Sequence, residues 1–232
     1  MLYDLGIRSI HRIGGRGWGF WRMTFLAVFL ALFLLSFPHG QAASKQSSWQ
    51  KLLDQSRKAV AAAPQDPDKR YQLAMIYAHE GRVFDAWDEL KEVDRLVGGE
   101  AGRKSYAQRI IAASATQIKR SPGDILTRYK LAFAYYFIGR KLDARREFHI
   151  VVDLEPRHSW SYGYLGYLYA EAGNLDKAIA LWEKGVKFDP GNAVLHYVLG
   201  VAYVRKGDMK RAAQHFVDAY KDRTLYEYVK GK

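Results

Sequence analysis

The sequence predicts an all-α repeat fold, and three observations carry that prediction. In the stretch 164–190, YLGYLYAEAGNLDKAIALWEKGVKFDP, large apolar residues recur three, four and seven positions apart, the spacing of one helix face. Small residues interrupt that face. Gly166 costs a helix about 1 kcal/mol relative to Ala and is accepted where a second helix packs too closely for anything larger. The same frame then returns along the chain, at a spacing of 34 residues from Ile125 onward.

At 232 residues the chain has room for one or two domains with a sizeable core. It contains no cysteine, which excludes disulfides, thiolate metal sites, a cysteine nucleophile and a lipidated-cysteine anchor. Lys and Arg number 36 against 24 Asp and Glu, but the positive residues are scattered, in pairs such as Arg145-Arg146 and Lys210-Arg211. A scattered surplus reads as a solvated helical exterior with weak affinity for anionic surfaces, not as a nucleic-acid site.

The amino end differs in kind. Arg8, Arg12, Arg16 and Arg22 precede an uncharged apolar run, 23–37, followed by Pro38 and the small-residue exit HGQAAS. That is the layout of a secretory signal peptide occupying 1–42, with cleavage after Ala42 and export to the periplasm or cell envelope. The alternative is an uncleaved inner-membrane anchor at 23–37, although spanning a bilayer takes about 20 apolar residues. Translation from Met23 rather than Met1 would remove the arginines.

In a unit beginning at Ser159, Tyr162, Leu165, Gly166, Tyr169, Ala178, Trp182 and Pro190 stand at positions 4, 7, 8, 11, 20, 24 and 32. This resembles the tetratricopeptide repeat, W-x2-L-G-x2-Y, then A-x3-F, then P, with one ring exchanged for another at positions 4 and 24. From Ala193 the frame reads His196, Leu199, Gly200, Tyr203, Ala212 and Phe216. From Ile125 it reads Arg128, Leu131, Ala132, Tyr135, Ala144, Phe148 and Pro156; from Pro67, Arg70, Leu73, Ala74, Tyr77, Ala86 and Leu90. The resemblance covers 67–100, 125–158, 159–192 and 193–226, leaving a tail at 227–232. It implies antiparallel helix pairs at positions 1–14 and 17–30, stacked into a right-handed α-solenoid. Position 8 is expected to face Ala at position 20 where each pair crosses, with the rings at 11 and 24 on the flanks.

Residues 101–124 have room for one extra helix, whose stripe is Ile110, Ile111, Ser114 and Ile118. Fifty-eight residues earlier the same stripe appears as Leu52, Leu53, Ser56 and Val60, in an amino-terminal helix within 43–66. Pro64 aligns with Pro122, Arg70 with Arg128, Tyr71 with Tyr129, Gly81 with Gly139 and Glu89 with Glu147. The segments 44–100 and 102–158 therefore read as two copies of a three-helix block, which departs from the regular family pattern.

No catalytic constellation is evident. The histidines (His11, His39, His79, His149, His158, His196 and His215) include no H-x3-H pair, so no metal, cofactor or enzymatic activity is expected. Gly14-Gly15-Arg16-Gly17 precedes the apolar run and follows no strand, so it is not a phosphate loop. The chemistry expected is recognition. In the family the face of each first helix at positions 2, 5, 9, 12 and 13 lines a concave groove. Here those positions, with Tyr164 beside them, hold Tyr71, Met75, Tyr129, Phe133, Tyr136, Phe137, Trp160, Tyr167 and Tyr197, an aromatic ligand groove. The alternative is that the protein's own chain, such as the extra helix, covers these rings. The Lys and Asn at positions 5 and 9 with which some relatives clamp a carboxyl terminus are absent, since Tyr71, Met75, Tyr129 and Phe133 stand there. The sequence thus points to an adaptor or assembly factor holding an extended or helical apolar segment of another protein. The alternatives are a self-associating scaffold and a binder of anionic polysaccharide.

Overall fold

The computed structural model describes residues 43–221, which form ten α-helices and no strand. They gather into two compact units, one ending at Pro156 and the other beginning at Arg157. The expected signal segment 1–42 and the tail 227–232 lie outside the described residues. Among the described residues, no helix is long and apolar enough to cross a membrane.

The amino unit contains α1 (Ala43–Ala62), α2 (Pro67–His79), α3 (Val83–Leu96), α4 (Glu100–Arg120), α5 (Ile125–Phe137) and α6 (Lys141–Leu154). Local chemistry sets the helix starts. The Asp66 carboxylate accepts from the backbone N–H groups of Asp68 and Lys69, with Pro67 in the first turn, and the Asp124 carboxylate accepts from that of Thr127. The α2–α3 and α5–α6 turns each use a glycine in the left-handed region, Gly81 at φ 74° and Gly139 at φ 77°, where a side chain would be strained. Helix α2 packs on α3 and α5 on α6, while α1 lies on α2 and α4 on α5. The two single helices use matching faces: Leu53, Ser56 and Val60 are buried in α1, and Ile110 and Ser114 in α4, where Tyr106 and Ala107 extend the stripe.

The internal duplication reaches the polar contacts. Arg70 donates through Nε to the Pro64 carbonyl (2.7 Å) and pairs with Glu89 (2.6 Å). Arg128 donates to the Pro122 carbonyl (2.9 Å) and pairs with Glu147 (2.7 Å). Each arginine therefore ties the preceding loop to the second helix of its pair.

The carboxyl unit contains α7 (Ser159–Glu171), α8 (Leu175–Phe188), α9 (Ala193–Lys206) and α10 (Met209–Tyr220). Asn174, Asn192 and Asp208 cap α8, α9 and α10. A Cβ on Gly166 would stand 2.4 Å from Trp182 Nε1, and one on Gly200 would stand 2.6 Å from Phe216 Cε1. The close approach inferred from the sequence is therefore real, but its partner is corrected: the ring at position 24 lies on position 8. The small residue is needed because an aromatic plane, wider than a methyl group, occupies that space.

Candidate functional site

The groove residues separate into two classes. In the amino unit, Tyr71 and Met75 are buried, and so are Tyr129 and Phe133. The Tyr71 ring meets Tyr106 of α4 edge-on (centroids 5.9 Å apart), and its hydroxyl donates to the Lys130 carbonyl (2.8 Å). Tyr129 packs edge-on against Phe148 (5.6 Å) and His79 (5.5 Å), and Phe133 against Phe148 (5.7 Å). Tyr197 in the carboxyl unit is also buried, with Phe216 at 5.7 Å. For these five residues the expectation of a partly exposed groove is corrected: they are interior. A helical wheel identifies the face but not what covers it, and α4 supplies the cover for Tyr71.

Five of the ten remain half-buried. Tyr136 and Phe137 lie at the end of α5, with Lys141 Nζ 5.9 Å from the Tyr136 ring centroid. Trp160, Tyr164 and Tyr167 lie on α7. The structure brings Trp160 and Tyr164 together, with ring centroids 6.4 Å apart, and the spacing 160, 164, 167 keeps all three on one helix face. Burial raises the Tyr164 hydroxyl above the usual tyrosine range, so it stays protonated and able to donate.

Sequence reasoning missed the polar ring around Tyr71. Arg109 of α4 forks onto Asp68 (2.6 and 2.8 Å), and Tyr106 donates to Asp68 and to the Pro67 carbonyl (2.9 Å each). The hydrogen bond from Arg109 holds the Asp68 carboxyl below its usual range, against the opposing effect of burial. Lys130 reaches the Gln72 amide (2.9 Å), and burial lowers its pKa. A shallow hollow of about 300 Å³ beside this ring is lined by Val97, Gly102, Ser105, Tyr106 and Arg109. A periodic pattern carries no signal for such contacts, because they join residues up to 59 positions apart.

A second polar centre in the amino unit surrounds His79. Its ring stacks on Trp49 (3.7 Å) and its Nε2 lies 2.9 Å from a Glu155 oxygen. Burial opposes the imidazolium, yet hydrogen bonds to Glu155 and Glu80 outweigh it and raise the His79 pKa.

Comparison with known proteins agrees with the repeat frame. Residues 166–207 match the family model described as TPR repeat. The matched segment is a tetratricopeptide repeat. It is 32% identical over 162 residues to BBSome complex member BBS4 of Bos taurus, which covers 62% of this chain and 30% of that protein. It is 27% identical over 107 residues to tetratricopeptide repeat protein 14 of Mus musculus, covering 46% and 14%. The chain therefore spans less than a third of the length of these curated relatives. Among solved structures it is similar to TTC0263, a thermophilic TPR protein of Thermus thermophilus (TM-score 0.47, 18% identity, 89% of this chain and 97% of that one). It is also similar to MamA of Desulfovibrio magneticus RS-1 (TM-score 0.41, 22% identity, 81% and 89%). A tetratricopeptide-repeat fold suggests protein–protein interaction or scaffolding, and proteins of this kind are generally non-enzymatic adaptors.

Proposed function

We propose that this protein is an adaptor that holds an apolar segment of a partner protein against the aromatic face of α7. One observation carries the reading. Tyr71, Tyr129, Phe133 and Tyr197 are committed to the interior, whereas Trp160, Tyr164 and Tyr167 stay half-buried in a row along α7. Tyr and Trp offer stiff contact area with a polar tip, the chemistry of adaptable recognition. The similarity to a protein named as a member of the BBSome complex supports a role in assembly. The basic and apolar amino end supports a site of action outside the cytoplasm, in the periplasm or cell envelope.

The test is retention of protein partners from an extract by the parent chain and by variants. Trp160→Ala/Tyr164→Ala is expected to lose the retained partner, since aromatic anchors often contribute about 2 kcal/mol or more each. Arg145→Ala/Arg146→Ala is expected to retain it. The reverse pattern would mean that binding is electrostatic, and the aromatic reading would fail.

A second reading, self-association, is favoured by the last helix pair. Val204, Met209 and Val217 are 42%, 62% and 58% exposed and could meet a second copy. Light scattering decides it: a mass that does not change with concentration removes self-association.

A further inference from the structure

The repeat has a recurring polar slot, and the last repeat fills it differently. In the first two repeats, position 4 is an arginine and position 23 a glutamate, paired across the two helices, Arg70 with Glu89 and Arg128 with Glu147. Each arginine also donates to the carbonyl six residues before it, that of Pro64 or Pro122. In the fourth repeat the same two positions are His196 and His215. His196 keeps the loop contact, with Nε2 3.1 Å from the Pro190 carbonyl. Across the slot, however, the complementary charge pair has become two imidazoles whose Nδ1 atoms face each other at 3.1 Å.

This geometry places one hydrogen. A carbonyl oxygen only accepts, so His196 Nε2 carries a hydrogen, and in the neutral ring Nδ1 then presents its lone pair into the slot. An imidazole that donates its outer N–H to a backbone carbonyl and offers the other nitrogen is in the arrangement of a metal-ligating histidine. Asp218, one turn beyond His215 on α10, places Oδ2 3.8 Å from His196 Nδ1, and the three donor atoms all lie within 4.8 Å of one another. Zinc–nitrogen bonds of about 2.0–2.1 Å set tetrahedral ligand–ligand edges of about 3.3–3.4 Å. The 3.1 and 3.8 Å separations bracket that edge.

We propose that His196, His215 and Asp218 form a divalent transition-metal site, suited to zinc, that clasps α9 to α10. Without metal, the two rings are joined by a hydrogen bond from His215 Nδ1–H to His196 Nδ1. With metal, the His215 proton moves to its Nε2 and the ion takes the place of that shared hydrogen, so two neutral imidazoles bind without net loss of a proton. Burial, and then the neighbouring His196, lower the His215 pKa and favour the neutral ring that a metal requires. The Tyr203 ring lies parallel to His215 (5.5 Å, 5° between planes) and fixes its orientation. Asp218 otherwise pairs with the exposed Lys221 (2.7 Å), a surface contact of little strength that does not compete strongly. Three protein ligands leave a fourth position for water or for a donor from a bound partner.

The experiment uses the full-length, tag-free chain in mild detergent after removal of metals, with Zn²⁺ and Co²⁺ as probes. The parent is expected to bind one more equivalent of Zn²⁺ than His215→Gln, and to melt at a higher temperature with Zn²⁺ present, a shift that His215→Gln lacks. Co²⁺ is expected to give the visible absorption of a tetrahedral ion in the parent but not in His215→Gln. Asp218→Asn is expected to weaken binding by about tenfold or more. If His215→Gln fails to fold by circular dichroism, Asp218→Asn alone decides, because its side chain pairs with a surface lysine. Equal stoichiometry and affinity in the parent and in every folded variant would mean adventitious binding and would overturn the site.

Discussion

Trp182 is held by its surroundings on two counts. It is 6% exposed and covers the space a Gly166 side chain would need, while its indole N–H donates to the Gly163 carbonyl (3.1 Å). Trp182→Ala is therefore expected to destabilise the carboxyl unit by about 3–5 kcal/mol in urea titration. Gly166→Leu is expected to be harmful through overpacking, by about 1–3 kcal/mol or more, since the ring has nowhere to go. Either variant melting within a degree or two of the parent would refute the pairing of position 8 with position 24. His79 supports a pH prediction. Its pKa is raised in the folded state, so its ion pairs stabilise fully below the unfolded value near about 6.5, and that stability is lost as pH rises through the folded pKa. Glu155→Gln is expected to lower the urea midpoint more at about pH 5.5 than at about pH 8.5. An equal loss at both values would show that the imidazole does not charge.

At the scale of elements, the repeated arginine clasp makes α5 and α6 one object. The Arg128 and Glu147 side chains are 8% and 15% exposed, so breaking the pair leaves a nearly buried charge without its partner. Arg128→Ala is expected to cost about 3–5 kcal/mol, and the double variant Arg128→Met/Glu147→Leu to cost less, because an apolar pair needs no desolvation of charge. Denaturant unfolding of the single and double variants checks this; a double variant worse than the single would refute the account. The same scale separates groove from core. Phe133→Ala is expected to destabilise the amino unit like a core mutant, by about 3–5 kcal/mol. Tyr136→Ala, truncating a half-buried ring, is expected to cost clearly less. Similar losses for both would place Tyr136 in the interior as well.

For the molecule as a whole, the described helices form two compact units that share one repeat and differ in what is added to it. In the amino unit α1 and α4 each lie on a repeat helix, and α4 closes over Tyr71 through Tyr106 and Arg109. In the carboxyl unit two helix pairs follow one another directly. The apolar rings left half-buried on α7 and the exposed Val204, Met209 and Val217 are the surfaces with which these pairs meet other molecules in the proposed roles. The amino-terminal segment bears on where that happens. Amino-terminal sequencing of the native protein is expected to find a chain beginning near Ala43; a chain retaining its first 30 residues on soluble cytoplasmic material would refute export.

The helix pairs were legible because their determinants are local. The apolar spacing, the small residue at position 8, and Gly81, Gly139, Gly173 and Gly207 at the turns act within one or two helices, and each occupies a repeating place in the sequence. The duplication of a three-helix block was legible for the same reason, down to Arg70 and Arg128. Which rings are free was not. Tyr71 and Trp160 lie on the same side of their respective repeats by the periodic pattern, but one is covered by a helix some 35 residues further on and the other stays half-buried. The facing imidazoles of His196 and His215 were also hidden, because ligand spacing was sought along one helix and these two donors stand on neighbouring helices, 19 residues apart. Periodicity reports the direction of a side chain from its own helix axis; what waits in that direction is set by long-range packing, which only the tertiary structure decides.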